Sequence, residues 1–219
     1  MSARYDLGIM TAPATCDLRP APAMKTQYLT ATSLDGFIAD PDHSLDWLMQ
    51  LADSPVGEFP EFLRAVGAMA MGSSTYEWLL RHQVFPEGGE PKPWPYEQPS
   101  WVFTSRERRR VPGAPIHFVQ GDVRPVHAAM AAAANGKNIW IVGGGDLAGQ
   151  FADHGLLDKI ILQVASVSLG AGAPLFPRRM TTPPLRLVDA RHFSGNFAQL
   201  TYELPNARGG GPQTDGASR

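Results

Sequence analysis

The candidate functional residues of this sequence lie mainly where a predicted strand ends and a helix begins. The stretch IWIVGGGDLAGQF runs a short apolar strand, residues 139–142, into Gly143, Gly144 and Gly145, and a helix then begins at Asp146. Glycine reaches positive φ at little cost. Without Cβ atoms, it also lets a ligand approach the amides at a helix start, where anions and phosphates bind. The stretch predicts either a phosphate site or a tight turn without a ligand.

A second stretch, MGSSTYEWLL, repeats this design. Gly72 ends a buried strand, and Ser73, Ser74 and Thr75 begin a helix. Their hydroxyl groups can cap the helix or hold a phosphate. Two strand-to-helix turns of this kind in one domain favour an extended ligand that carries a diphosphate.

A third strand end, in VFTSRER, carries Thr104, Ser105 and Arg106. Ligands bind at the carboxyl ends of strands in open α/β sheets. A guanidinium group grips phosphate through two hydrogen bonds, so an arginine beside hydroxyls suits the 2′-phosphate of an adenosine. The alternative is a helix N-cap followed by an exposed arginine.

Two carboxylates are candidates for acid chemistry. Asp35 lies in TATSLDGFIAD, just after the first strand, and Asp46 precedes Trp47 in HSLDWL. A carboxyl group near an indole can have a raised pKa and act as a proton donor. The alternatives are a turn residue for Asp35 and a helix cap for Asp46.

The elements that position these residues alternate along the chain. Five prolines between residues 84 and 99 predict a loop, and Ser194-Gly195-Asn196 joins two strands into a terminal hairpin. This order predicts an α/β fold whose mixed sheet is mainly parallel with an antiparallel edge. Strands are predicted at 25–31, 68–72, 100–105, 115–121, 139–142, 158–167, 185–193 and 197–204, and helices at 59–67, 73–82, 122–136 and 146–151.

Composition limits the classes of protein that fit. A chain of 219 residues with 43% hydrophobic content suits one domain, and a net charge of −2 with scattered basic residues argues against nucleic-acid binding. No apolar stretch approaches the roughly 20 residues of a membrane span. Cys16 is the single cysteine, which favours a cytoplasmic location and argues against a zinc site. We expect a disordered extension at 1–23, one domain at 24–205 and a flexible tail at 206–219.

Five motifs in order give the sequence a family resemblance. It resembles the dihydrofolate reductase superfamily, most of all the C-terminal reductase domain of the bifunctional riboflavin-biosynthesis enzyme and its stand-alone bacterial relatives. The resemblance covers about residues 25–204 and implies an NADPH-dependent reductase on an eight-stranded mixed sheet in a three-layer α/β/α fold. The motifs are SLDGFIA, MGSSTYE, VFTS, IVGGGDLAGQF and LDKIILQVASVSLGAGAPLF.

The resemblance also implies roles for individual residues. Ala31, Ile38 and Ala39 would line the nicotinamide, and Asp35 or Asp46 would bind substrate or relay a proton. The diphosphate would lie between two groups of residues, Gly72 with Ser73, Ser74 and Thr75, and Gly143 with Gly144, Gly145, Asp146 and Leu147. The 2′-phosphate would face Thr104, Ser105 and Arg106. The substrate would contact Ser33, Trp47, Leu175 and Phe176.

Two residues depart from the family pattern. Ser73 stands where a basic residue is frequent, and Asp146 places a negative charge where an anion should bind. Asp146 either caps the helix and points away, or the cofactor is bound weakly or is NADH. These departures also motivate an alternative, a nucleotide-binding protein with little catalytic activity.

The expected substrate is a small heterocyclic or ribosylated pyrimidine molecule, and a folate-like pterin is the other option. The bifunctional enzyme is excluded because no H-x-E…P-C-x-x-C deaminase motif precedes the domain. A Rossmann dehydrogenase is disfavoured because SLDG, not a glycine fingerprint, follows the first strand. The resemblance leaves a homodimer open.

Overall fold

The computed structural model of the protein describes residues 23–51 and 59–205. Residues 1–22 of the extension predicted at 1–23, and the tail predicted at 206–219, lie outside these residues. The strands are β1 Thr26–Thr32, β2 Phe37–Ala39, β3 Val66–Gly72, β4 Ser100–Phe103, β5 Ile116–Val119, β6 Asn138–Gly143, β7 Lys159–Ala165, β8 Ala173–Pro174, β9 Arg186–Ser194 and β10 Phe197–Glu203. The helices are α1 Asp46–Met49, α2 Phe59–Arg64, α3 Ser73–Leu79, α4 Val123–Ala133 and α5 Gly145–Asp153, and a π-helical segment, Leu80–Val84, continues α3.

Eight strands form one mixed sheet in the order β5-β4-β3-β6-β1-β7-β10-β9. The first six strands of this order pair in parallel, and β10 pairs antiparallel with both β7 and β9. The predicted fold class is confirmed, including the antiparallel edge and the hairpin that ends the sheet.

Helices cover both faces of the sheet because its central strands are apolar on both sides. In β3, Ala68 and Ala70 face the core formed with α4 and α5, whereas Met69 and Met71 face the core formed with α3. This alternation follows from the two-residue period of a strand. The sheet is therefore the middle of three layers.

The strand register brings the two glycine turns together. β3 and β6 are neighbours, and Met71 pairs with Gly143, so both strands end at the same edge of the sheet. Gly72 and Gly144 then begin the turns into α3 and α5 as their N-cap residues.

Two short strands were not predicted from the sequence. β2 and β8 pair antiparallel as a separate small sheet, with Ala39 opposite Ala173. The neighbouring Gly172 has a φ of +146°, and a Cβ atom there would overlap the carbonyl oxygen of Ala39. The contact between these strands thus depends on a glycine.

Some predicted boundaries differ by a few residues. The helix predicted at 59–67 ends at Arg64 because Val66 opens β3, and the strand predicted at 158–167 ends at Ala165. Asp122 does cap α4, since its side chain accepts a hydrogen bond from the amide of Arg124. In the described parts of the chain, no helix is both long and apolar enough to cross a membrane.

Candidate functional site

The three glycines after β6 differ in what requires them. Gly143 has a φ of +158°, which other residues rarely adopt, and a cis peptide bond joins it to Gly144. A Cβ atom on Gly145 would overlap the carbonyl oxygen of Leu175. Gly144 has ordinary φ and ψ angles of −88° and −178°, and a Cβ atom there would meet only Ile38, at 3.7 Å. Gly144 is therefore the glycine whose missing side chain leaves space for a ligand.

The first turn of α5 keeps its amide groups available. Its N-cap is Gly144, and no side chain caps the helix. The expectation that Asp146 caps α5 is therefore wrong. The amides of a first helical turn have no acceptor within the helix, and they carry the positive end of its dipole.

The second turn places free hydroxyl groups beside the first. Gly72 is the N-cap of α3, and no side chain caps this helix either. The capping interpretation of Ser73, Ser74 and Thr75 is therefore wrong. Their hydroxyl groups are not committed to the helix and can serve a ligand.

Both turns open into one cavity of about 570 Å³ at the carboxyl edge of the sheet. Most of the predicted cofactor residues line it, and they come from three separate segments of the chain. Those residues are Ile38, Ala39, Gly72, Ser73, Ser74, Thr75, Gly143, Gly144, Gly145, Asp146 and Leu147.

The end of β4 flanks this cavity. Phe103 lines it, whereas the predicted residues Thr104, Ser105 and Arg106 follow just outside the lining. The hydroxyl of Thr104 accepts a hydrogen bond from the amide of Arg106 at 3.1 Å and so shapes the turn. Arg106 itself is exposed.

The other arginines of this basic run are engaged by the fold. Arg108 pairs with Glu77 at 2.8 Å, and the guanidinium groups of Arg109 and Arg110 lie over the rings of Phe85 and Phe118. Within the described residues, Arg106 is the arginine of this run that makes no such contact. The run is mainly structural, and its first member remains available to a ligand.

Asp35 does not reach the cavity. It accepts hydrogen bonds from the hydroxyls of Ser33 at 2.6 Å and Ser168 at 2.9 Å, and from the amides of Leu169 and Gly170 at 3.1 and 2.6 Å. The bond from Ser33, followed by those from the loop, holds the pKa of Asp35 well below its ordinary value. The structure therefore does not support the predicted proton relay, and Asp35 anchors the loop that follows β7.

Asp46 and Trp47 do not line the cavity, although their neighbour Leu45 does. Asp46 is exposed at the start of α1, where Leu45, not Asp46, is the N-cap residue. Trp47 is buried, and its indole N–H has no hydrogen-bond partner. The second predicted acid is thus not placed beside the glycine turns, and the predicted cap at Asp46 is wrong.

The predicted substrate contacts are also displaced. Ser33 is buried and holds Asp35 and the amide of Phe37. Leu175 and Phe176 pack against the core on the α5 side, and their neighbours Ala173, Pro174 and Pro177 line the cavity instead. Ala31 lies next to Thr30, which is the residue of β1 that lines the cavity. These segments border the cavity, but the side chains that line it are neighbours of the predicted ones.

Several residues that line the cavity were not identified from the sequence. His43, Trp78 and Tyr96 contribute an imidazole and two aromatic rings. His43 has a φ of +58° in the turn after β2, a conformation that indicates a turn with a defined shape. The amide groups of Asp42 and Ser44 bind the carboxylate of Asp40, at 3.0 and 2.7 Å, which fixes this turn. A histidine next to Asp42 in a polar turn was the available signal.

The negative charge of Asp146 is compensated. Gln150 donates a hydrogen bond to its carboxylate at 2.9 Å, and Arg178 forms an ion pair with it at 3.0 Å. The hydrogen bond from Gln150, and after it the one from Arg178, lowers the pKa of Asp146. The carboxylate therefore stays ionised, and a cation neutralises it at the mouth of the glycine turn.

A smaller cavity of about 380 Å³ lies against the other half of the sheet, between β1, β7, β9, β10 and α2. No glycine lines it, and the side chains that do are a mixture of amides, charges and rings, such as Gln163, Arg191 and Phe193. The larger cavity is the candidate site because both strand-to-helix turns open into it.

The sheet order and the two glycine turns define a dihydrofolate-reductase-like protein. The model of the RibD C-terminal domain matches residues 93–198. The uncharacterized protein YwjB of Bacillus subtilis is 32% identical over 186 residues, which is 81% of this chain and 97% of YwjB. YyaP of the same organism is 29% identical over 178 residues, which is 78% of this chain and 90% of YyaP. The chain belongs to the RibD C-terminal domain family.

Solved structures agree with this assignment. A Shewanella sp. PV-4 protein assigned to riboflavin biosynthesis is 25% identical, with a TM-score of 0.66, over 82% of this chain and 98% of that one. A Thermotoga maritima diaminohydroxyphosphoribosylaminopyrimidine deaminase/5-amino-6-(5-phosphoribosylamino)uracil reductase shares the fold at 17% identity and a TM-score of 0.56. This chain covers 56% of that longer protein. The family and the Shewanella neighbour support a reductase-like role of the riboflavin-biosynthesis type, and the Thermotoga neighbour shows the shared fold.

Proposed function

We propose that the protein is an NADPH-dependent reductase that transfers hydride to a C=N or C=O bond of a heterocyclic or ribosylaminopyrimidine-type substrate. The observation that carries the proposal is the meeting of two strand-to-helix turns, at Gly72 and Gly144, in one cavity. A dinucleotide has one diphosphate at its centre, and these turns offer uncommitted amides and hydroxyls at a single place.

The residues present fit this cofactor. A Cβ atom on Gly72 would lie 3.8 Å from the carbonyl oxygen of Gly143, and one on Gly144 would lie 3.7 Å from Ile38. Both contacts are ordinary van der Waals distances, so packing does not require glycine at either position. The space above the two glycines is therefore open to a ligand. We assign that space to the diphosphate, and the exposed Arg106 beside β4 to the 2′-phosphate of the adenosine.

The nicotinamide end would lie against Ile38 and Ala39, on the apolar side of the cavity. When bound, the cofactor supplies the hydride. The substrate carbon accepts that hydride, and the nitrogen or oxygen of the same bond takes a proton, so the overall change consumes one NADPH and one proton. The protein has to orient the substrate and supply the proton.

We assign the proton to His43. In the described lining, the titratable side chains are His43, Tyr96 and Asp146. Asp146 is ionised and paired with Arg178, and burial raises the pKa of Tyr96, which keeps its phenol neutral. Imidazole is the most common general acid in enzymes. His43 thus takes the role first predicted for Asp35 or Asp46.

A dinucleotide-binding protein with little catalytic activity is the second candidate. It is favoured by one observation: neither Asp35 nor Asp46 lines the cavity, and the carboxylate that does, Asp146, is held by Arg178. Under this alternative the cofactor would bind in the same way, but no substrate would be reduced.

The test combines binding with turnover. NADPH affinity is measured by protein fluorescence, and NADPH oxidation is followed with a panel of acceptors that includes ribosylaminopyrimidines and dihydrofolate. Binding with oxidation of a pyrimidine acceptor supports the proposal, and oxidation of dihydrofolate alone would replace the substrate class. Binding without turnover across the panel favours the second candidate. No binding of NADPH or NADH would overturn both.

A further inference from the structure

Arg178 lies along α5 and joins its two ends. Its Nη1 donates to a carboxylate oxygen of Asp146 at 3.0 Å, and its Nη2 lies 3.4 Å from the carbonyl oxygen of the same residue. Its Nε donates to Asp153 at 2.8 Å. One guanidinium group therefore bridges the first and the last turn of the helix.

Gly149 of α5 allows the side chain of Arg178 to pack against the helix. A Cβ atom on Gly149 would lie 2.6 Å from the Cζ of Arg178 and 2.8 Å from its Nε. The guanidinium therefore packs directly on the backbone of α5, and its side chain is only 22% exposed. Glycine weakens a helix interior, so the close approach of Arg178 is the physical reason for glycine at this position.

Asp146 poses an electrostatic problem that Arg178 solves. Asp146 lines the cavity, and its side chain is 68% exposed. An uncompensated carboxylate beside the first-turn amides of α5 would repel a diphosphate. The ion pair cancels this charge, and the second contact, with the carbonyl oxygen of Asp146, holds the guanidinium against the first turn of α5.

We infer that Arg178 is a positioning residue for cofactor binding: it neutralises Asp146 and holds it in place, so that the turn after β6 accepts the cofactor diphosphate. This inference rests on the proposed function and deepens it. It also accounts for the family departure at Asp146, because the acidic residue and the arginine act as a pair. Preference for NADPH or NADH is then decided elsewhere, at Arg106.

A purely structural role for Arg178 is the alternative to this inference. Its ion pairs also tie the segment after β8 to α5, so a loss of binding in a variant of Arg178 could reflect a displaced segment. A charge role and a tethering role differ in one respect. If Arg178 acts through its charge, removing the charge of Asp146 should restore cofactor binding to a variant of Arg178. If Arg178 acts as a tether, it should not.

The experiment is a double-mutant cycle on the full chain. Kd values for NADPH, and for inorganic pyrophosphate by competition, are measured for wild type, Arg178→Gln, Asp146→Asn and the double variant. Arg178→Gln should raise the Kd for NADPH roughly tenfold, since it leaves a bare carboxylate near the diphosphate. Asp146→Asn should bind at least as tightly as wild type, and the double variant should return to within about twofold of wild type.

Asp153→Asn is the matched control. It removes the other ion pair of Arg178 at the far end of α5, roughly 10 Å along the helix, and should leave both Kd values unchanged. Thermal unfolding of each variant shows whether Arg178→Gln folds. If it does not fold, weaker NADPH binding by Asp146→Asn would still contradict the inference.

The outcomes separate this inference from the proposed function. If wild type binds NADPH and Arg178→Gln binds equally well, the inference is wrong and the proposed function stands. If Asp146→Asn fails to restore binding to Arg178→Gln, Arg178 is a tether and the inference is again wrong. If wild type binds neither NADPH nor pyrophosphate, the proposed function is overturned and the role of Arg178 with it.

Discussion

Gly145 and Leu175 approach so closely that no Cβ atom fits between the α carbon of the first and the carbonyl oxygen of the second. That oxygen also accepts a hydrogen bond from the hydroxyl of Tyr28 at 3.1 Å, and the amide of Leu175 donates to Gly36 at 2.9 Å. The segment after β8 is thus fixed against the start of α5. The third glycine of the turn serves packing, whereas the second leaves room in the cavity.

This difference predicts opposite effects for two similar substitutions. Gly145→Ala should lower the free energy of unfolding by about 1–3 kcal/mol, because the new methyl group displaces backbone atoms. Gly144→Ala should leave stability nearly unchanged, because its Cβ would make an ordinary contact with Ile38. Denaturant unfolding of both variants is the measurement, and equal losses of stability would contradict this division of roles.

Most of the fold could be predicted from the sequence because the signals are local. Buried apolar strands, the Asp122 cap and the turn at Gly195 each act within a few residues, and their order fixes a mixed sheet. The exceptions were β2 and β8, whose pairing depends on contacts between residues more than 130 positions apart in the chain. Such contacts leave no periodic pattern in either segment.

The candidate site could be predicted only in part, for a related reason. The glycine turns were found because a glycine at a strand end, such as Gly72 or Gly144, usually serves either an unusual backbone conformation or the close approach of a ligand to the backbone. The acids were misplaced because a carboxylate in a turn looks the same whether it faces a cavity or a loop. The partners of Asp35, Leu169 and Gly170, are distant in sequence, and they decide its role.

Asp35 should contribute to stability in a pH-dependent way. Its pKa is depressed in the folded state, mainly by the hydrogen bond from Ser33, so its contribution is present above its ordinary pKa of 3.8 and is lost as the pH falls. Asp35→Asn should lower the Tm at pH 7, and the difference from wild type should shrink between about pH 5 and pH 2. Asp42→Asn, which alters an exposed carboxylate on the next turn, should have little effect. A constant Tm difference at all pH values would disprove this role.

Arg106 should discriminate between the two dinucleotides. Arg106→Ala should weaken NADPH binding roughly tenfold, because charged hydrogen bonds to phosphate contribute about 1.5–3 kcal/mol, and should leave NADH binding unchanged. Arg64→Ala is the control, since Arg64 is exposed just before the amino end of β3, whereas the cavity lies at the carboxyl ends of the strands. Isothermal titration with both cofactors is the measurement. Equal losses for NADPH and NADH would show that Arg106 does not face the 2′-phosphate.

His43 should act in turnover and not in cofactor binding. His43→Asn should lower kcat about 10²-fold or more, in the range expected for loss of a general acid, with the Kd for NADPH unchanged. Asparagine tolerates the positive φ of +58° at this position, so the turn should keep its shape. His154→Asn, on an exposed residue after α5, should leave kcat unchanged. A His43→Asn variant with wild-type kcat would remove the assigned proton donor.

The most direct test of the central claim is the affinity of wild type and of Gly144→Val for NADPH. Valine at this position adds side-chain atoms above the turn without requiring an unusual φ, since Gly144 has a φ of −88°. The proposed function predicts micromolar binding by wild type and a loss of at least 10²-fold in the variant, with thermal stability retained. Equal affinity of a folded Gly144→Val variant and wild type would contradict the claim that the glycine turns hold the cofactor diphosphate.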